Sequence, residues 1–144
     1  DLVPVLVNLA AVSQANGHHK NSSAHLEKLL SLKEITLGPN HPEVVACITN
    51  LAGSYIYEGR FPEAERLYKR ALSIRERALG RQSPEVAEIL ASIAFVHQSD
   101  NKYLLAETLY KEALTISETA RGAESPEAEA RLWDLACLYH SHNR

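Results

Sequence analysis

An all-α fold of antiparallel helix pairs, repeated along the chain, is what this sequence predicts. The first observation is a register: Pro42, Pro84 and Pro126 recur every 42 residues, each followed by a glutamate, Glu43, Glu85 and Glu127. Gly38, Gly80 and Gly122 keep the same spacing, as do Leu30, Leu72 and Leu114. The pairs Leu9-Ala10, Leu51-Ala52, Ile93-Ala94 and Leu135-Ala136 extend it to four copies, and 16 of the residues from 43 to 84 recur unchanged 42 positions later. A period of roughly 20 to 50 residues marks units that cannot bury an apolar face alone and do so against their neighbours. The second observation is apolar residues at three- and four-residue steps between these markers, the period of a helix. The third is the punctuation, with serine and proline where helices should start and glycine where they should stop.

Taken in order, the chain opens inside a first helix, and residues 1–42 form a degenerate first unit in which Ser22 and Leu26 stand where later units carry alanine and tyrosine. Residues 43–84 form the second unit. Its first helix, expected over about 43–57, gathers Val44, Ile48, Leu51, Ala52 and Tyr55 on one face, and Gly59 ends it. A second helix is expected over about 62–79, with Ala64, Leu67, Tyr68, Ala71, Leu72 and Leu79 on its apolar side and Gly80 as a left-handed stop. Residues 85–126 repeat the plan, with Asn101 in the place of Gly59. Ser83-Pro84-Glu85 and Ser125-Pro126-Glu127 each set a capping hydroxyl before a proline at the first helical position, with a carboxylate near the positive helix end. Residues 127–144 hold one more first helix, about 127–141, of an incomplete fourth unit or a capping helix. The expectation is a single array, residues 1–144, with about seven helices, and a chain that begins and stops mid-unit reads as part of a longer one. Turns of a few residues make the paired helices antiparallel neighbours. Ala52, Ala64 and Ala71 let their backbones approach, with Tyr55 and Tyr68 filling the space beside them.

Composition limits the function. Hydrophobic residues are 45% and charged residues 23% of 144, which fits a folded core and excludes a disordered tract. The net charge of −3 and the scattered basic residues argue against nucleic acid as a partner. No apolar run approaches the roughly 18 residues of a membrane span, and Asp1-Leu2-Val3-Pro4 does not open like a signal peptide. Cys47 and Cys137 read as small core or groove residues in a reducing compartment, hence a cytoplasmic protein. His18, His19 and His25 flank the first turn and His140 and His142 lie near the end, but neither group has cysteine or carboxylate at ligand spacing, so no metal is expected. No glycine-rich phosphate loop, nucleophile elbow or paired-carboxylate motif appears. No cofactor, no catalytic residue and no enzymatic activity are expected.

The pattern Leu51-Ala52, Tyr55, Gly59, Phe61, Ala64, Tyr68 and Ala71-Leu72 resembles the tetratricopeptide repeat. With the 42-residue length, Asn50-Leu51-Ala52, Ala64-Glu65, the run from Arg70 to Glu76 and Leu79-Gly80 are similar to the kinesin light chain group, which includes the repeats of nephrocystin-3. The resemblance implies a right-handed superhelical solenoid whose first helices line a concave, partner-binding side. Transferred residue by residue, that side comprises Val7, Asn8 and Ala11; Thr49, Asn50, Gly53, Ile56 and Tyr57; Glu88, Ala91, Ser92, Phe95 and Gln98; and Trp133, Asp134 and Cys137. In that group, asparagines in the register of Asn8, Asn50, Ser92 and Asp134 can hydrogen-bond a peptide backbone, and only the first two are asparagine here. None of these positions is basic, which argues against capture of a C-terminal carboxylate. Asn50 could equally touch a neighbouring repeat, and Ile56, Tyr57, Phe95 and Trp133 could be groove floor or inter-helix core.

The expected function is a scaffold or adaptor that binds a peptide or helix of a partner protein. The alternatives are a structural, self-associating segment, or a regulatory array attached to a nucleotide-binding or catalytic domain of a larger protein. Residues 127–141 carry Leu132, Trp133, Leu135, Ala136, Leu138 and Tyr139. An open end with Trp133, Leu135 and Leu138 exposed predicts weak self-association through this last helix.

Overall fold

The computed structural model describes residues 1–143. Among them the chain forms seven α-helices and no strand: α1 Leu2–Ala15, α2 His19–Leu37, α3 Pro42–Tyr57, α4 Phe61–Leu79, α5 Pro84–Ser99, α6 Tyr103–Arg121 and α7 Pro126–His142. The chain divides into two compact units, Asp1–Ala71 and a second from Leu72 onward, with the boundary inside α4.

The helix boundaries follow from local chemistry. Ser83 Oγ accepts from the Val86 N–H and Ser125 Oγ from the Ala128 N–H, so each serine satisfies one of the donors a helix start leaves open. His41 fills this role for α3, its Nδ1 accepting from the Glu43 N–H at 3.2 Å. Between α3 and α4 the chain reverses at Gly59 with φ +72°, and Asn101 adopts φ +59° between α5 and α6. Asparagine tolerates the left-handed region better than most side chains, which explains the exchange.

In the first unit α1 packs on α2 and α2 on α3. Leu6 and Ala10 of α1, Leu26, Leu29 and Leu30 of α2, and Val44, Val45, Ile48, Leu51 and Ala52 of α3 are buried. Ala52, Ala64 and Ala71 have no exposed surface, as expected of close helix contacts. Polar ties surround this core: Tyr55 donates its hydroxyl to Glu27 at 2.6 Å, Lys33 pairs with Glu43 at 2.7 Å, and Arg70 pairs with Glu34. The Arg60 guanidinium lies 3.9 Å from the Tyr55 ring centre.

In the second unit α6 lies against both α5 and α7. One cluster joins Val86, Ala87, Leu90 and Ala94 of α5 to Ala106, Tyr110, Ala113 and Ile116 of α6 and to Leu135 and Leu138 of α7. His97 is buried where the preceding repeat has Tyr55. The expected apolar assignments need correction at two places. Leu135 and Leu138 are not exposed, because α6 covers their side of α7; Leu132, Trp133, Ala136 and Tyr139 face outward instead. Leu79 is half exposed in the last turn of α4.

Candidate functional site

Each first helix has a side that its neighbours in the unit leave open. In the first unit a cavity of about 290 Å³ lies between α1 and α3, with Val7, Ala11 and Gln14 on one wall and Ala46, Cys47 and Asn50 on the other. Leu26 and Leu29 of α2 form its apolar floor, and Lys33 and Glu43 close one end. Their hydrogen bond raises the Lys33 ammonium and lowers the Glu43 carboxyl from their ordinary values, so that end is an ion pair. Burial pushes the Cys47 thiol up, which keeps it a neutral part of the wall.

The residues expected on this side divide. Asn50, Val7 and Ala11 come together at the cavity, while Asn8 is exposed on α1 outside its lining. Thr49 is half-buried and returns its hydroxyl to the Ala46 carbonyl at 2.9 Å. Gly53 and Ile56 are half-buried on α3. A Cβ at Gly53 would meet only the Tyr68 hydroxyl, at 3.8 Å. Tyr57 is 67% exposed, stacks on His19 with ring centres 4.8 Å apart, and borders a second hollow with His18, Lys20 and Glu58.

In the second unit a cavity of about 450 Å³ is lined by Pro84, Glu85 and Glu88 of α5, Ser117 and Arg121 of α6, and Pro126, Glu127, Ala130 and Arg131 of α7. Of the expected residues it takes in Glu88 alone. Ser92 is half-buried and donates to the Glu88 carbonyl at 3.1 Å. Phe95 is 49% and Trp133 71% exposed, so these aromatics belong to the surface rather than the core. Asp134 is half-buried and pairs with Arg131 at 3.1 Å; burial raises its carboxyl above the ordinary value, and Arg131 partly opposes that. Ala91 is buried, and Gln98 accepts from the Tyr110 hydroxyl and donates to Ser141, so neither is open to a partner. Cys137 is exposed.

Lys33 and Arg121 were missed in the sequence because only first-helix positions were carried over from the resemblance, and Arg131, although on the first helix α7, was not among the positions carried over. Lys33 and Arg121 stand on second helices and reach the cavities from there. The signal available was weak: the register of Lys33 continues as Arg75 and then Ser117. Among the described residues no three His, Cys, Asp or Glu side chains gather to hold a metal ion, and no helix is long and apolar enough to cross a membrane.

Helix pairs in a 42-residue register, with small residues at the contacts, define a class of helical repeat protein. The tetratricopeptide repeat family model matches residues 1–77 and 44–119, and the chain belongs to that family. Among solved structures it is similar to a protein of Podosopora anserina described as a kinesin light chain with nearly identical TPR-like repeats, at 25% identity and TM-score 0.79, over 98% of this chain and 67% of that one. BtubC (BKLC) from P. vanneervenii matches at 27% identity and TM-score 0.77, over 98% of this chain and 56% of that one, so this chain spans little more than half its length. The N-terminal domain of stress-induced protein-1 from C. elegans, at 16% identity and TM-score 0.63 over 94% and 95% of the two chains, shares the fold. Among curated proteins, none matches this chain. The repeats are of the kinesin light chain type, and the family fold serves protein interaction.

Proposed function

We propose that this chain is an adaptor module that binds an extended peptide or a helix of a partner protein on the open sides of its first helices. The observation that carries the reading is the cavity between α1 and α3, where the exposed Asn50 amide stands over walls built from Val7, Ala11 and Ala46. An amide offers both a donor and an acceptor to a peptide backbone, while the small apolar walls leave room for side chains. Asn8, Thr49, Gly53, Ile56 and Tyr57 border this face. In the second unit Glu88, Ser92, Phe95, Trp133 and Asp134 provide the corresponding surface, and its exposed aromatics are the type of residue that anchors partners. The exposed, unpaired Cys137 supports a reducing, cytoplasmic setting.

Panning the whole chain against a displayed library of random peptides tests the reading. The expected result is a set of enriched peptides whose affinity for Asn50→Ala drops by about tenfold, the scale of a well-placed contact. Failure to enrich any peptide, or enriched peptides indifferent to Asn50→Ala and Trp133→Ala alike, contradicts it.

A second reading has its own observation: Leu132, Trp133 and Tyr139 on α7 are each more than 40% exposed. An apolar surface of this kind favours weak self-association. Because Trp133 belongs to both surfaces, a bound peptide that covers it should dissociate the dimer. A chain that sediments as a monomer at high concentration rules the dimer out.

A further inference from the structure

The cavities of the two units are built on the same register positions and differ in charge. Glu43 and Ala46 on the wall of the first recur 84 residues on as Glu127 and Ala130 on the wall of the second. The second-helix position that lines both is Lys33 in the first and Ser117 in the other. Lys33 donates from Nζ to Glu43 at 2.7 Å, and its side chain is only 15% exposed, so the first cavity holds a cation of its own. In the second the carboxylate is kept and the cation is replaced by a serine. Ser117 is 2% exposed and spends its only proton on the Ala113 carbonyl at 2.9 Å, which leaves the hydroxyl oxygen an acceptor.

The remaining charges of the second cavity do not stand in for Lys33. Arg131 is engaged by Asp134 at 3.1 Å. Arg121 lies in the last turn of α6 and, among the described residues, forms no ion pair with Glu85, Glu88 or Glu127. With the Arg131–Asp134 pair set aside, these three carboxylates line the cavity against the single guanidinium of Arg121. A concave surface with an excess of one sign draws the opposite charge into it.

We propose that the cavity of the second unit takes a lysine or arginine side chain of the bound peptide, its cation at Glu127 beside the Ser117 hydroxyl and its apolar stem against Pro126 and Ala130. The inference rests on the peptide-binding reading and adds a specificity to it. The second unit selects a basic residue, as the register counterpart of Lys33, whereas the carboxylate of the first unit is already neutralised from within. Partial shielding of the site from water makes such a pair worth more than one on an open surface.

The probes are three labelled pools of random peptides with the central residue fixed as lysine, glutamine or glutamate, each titrated into the whole chain and followed by fluorescence anisotropy. The expected result is that the lysine pool binds about fivefold tighter than the glutamine pool, with the preference shrinking as salt is added. Glu127→Gln, at an exposed position, should erase most of the preference. Ser117→Lys, which restores the first unit's internal cation, should erase it as well. Pools that bind equally well overturn the inference while leaving the peptide-binding reading in place. So does a preference for the glutamate pool, which would assign the cavity to Arg121, or a lysine preference that survives Glu127→Gln. If none of the pools binds, the peptide-binding reading fails and this inference with it.

Discussion

At the scale of single residues, packing volume decides most of what this chain tolerates. Ala71 is fully buried among close helices, so Ala71→Leu must displace its neighbours, and we expect a loss of roughly 1 to 3 kcal/mol on denaturant unfolding. Gly53 is the opposite case: it sits inside α3, and an added Cβ would make only an ordinary contact with the Tyr68 hydroxyl. Gly53→Ala should therefore raise stability by up to about 1 kcal/mol, because glycine costs a helix that much in backbone freedom. Tyr55 supplies a pH dependence. Burial first, and the hydrogen bond to Glu27 second, push its hydroxyl up to about 12. A group raised in the folded state stabilises below its ordinary value near 10 and loses that contribution as pH climbs through its folded value. The stability advantage of the native chain over Tyr55→Phe should accordingly be constant near neutrality and shrink between about pH 10 and 12, as followed by urea unfolding. These core residues were legible in the sequence because size and period alone mark them. Lys33 and Arg121 were not, since a long side chain on a second helix gives no sign of which cavity its tip will reach.

At the scale of the element, the helix starts and stops are the best-marked features. Ser125 holds the first turn of α7 through its bond to the Ala128 N–H, and the serine is itself buried. Ser125→Ala should cost about 1 kcal/mol, the usual worth of such a cap, with the loss read as a lower thermal midpoint. The serine–proline–glutamate start and the residues at positive φ could be read directly, because each is a local requirement of the backbone. The exposure of Leu135 and Leu138 was read wrongly for the opposite reason. Both lie among six apolar residues that give α7 a wide apolar surface, and only the angle at which α6 meets it decides which of them are covered. The aromatics Phe95 and Trp133 show the same limit: their spacing allowed core or groove, and packing leaves them outside.

At the scale of the whole molecule, the 42-residue register carries the family and the fold, while the proposed partner-binding sides depend on what each unit leaves uncovered. Repetition makes the architecture visible because every unit restates the same contacts. It hides specificity, since the positions that would select a partner are those where the units differ, such as Asn8, Asn50, Ser92 and Asp134. The central claim is that the first helices, not the second, receive the partner. Mapping backbone amide shifts of the isotopically labelled chain on titration with a peptide enriched by panning tests this most directly. The account predicts that the largest shifts fall on Val7, Asn8, Ala11, Asn50 and Gly53 of α1 and α3, or on Ser92, Phe95, Trp133 and Asp134 of α5 and α7. Shifts concentrated instead on the outer residues of α2 and α6, with those first-helix positions unmoved, would contradict it.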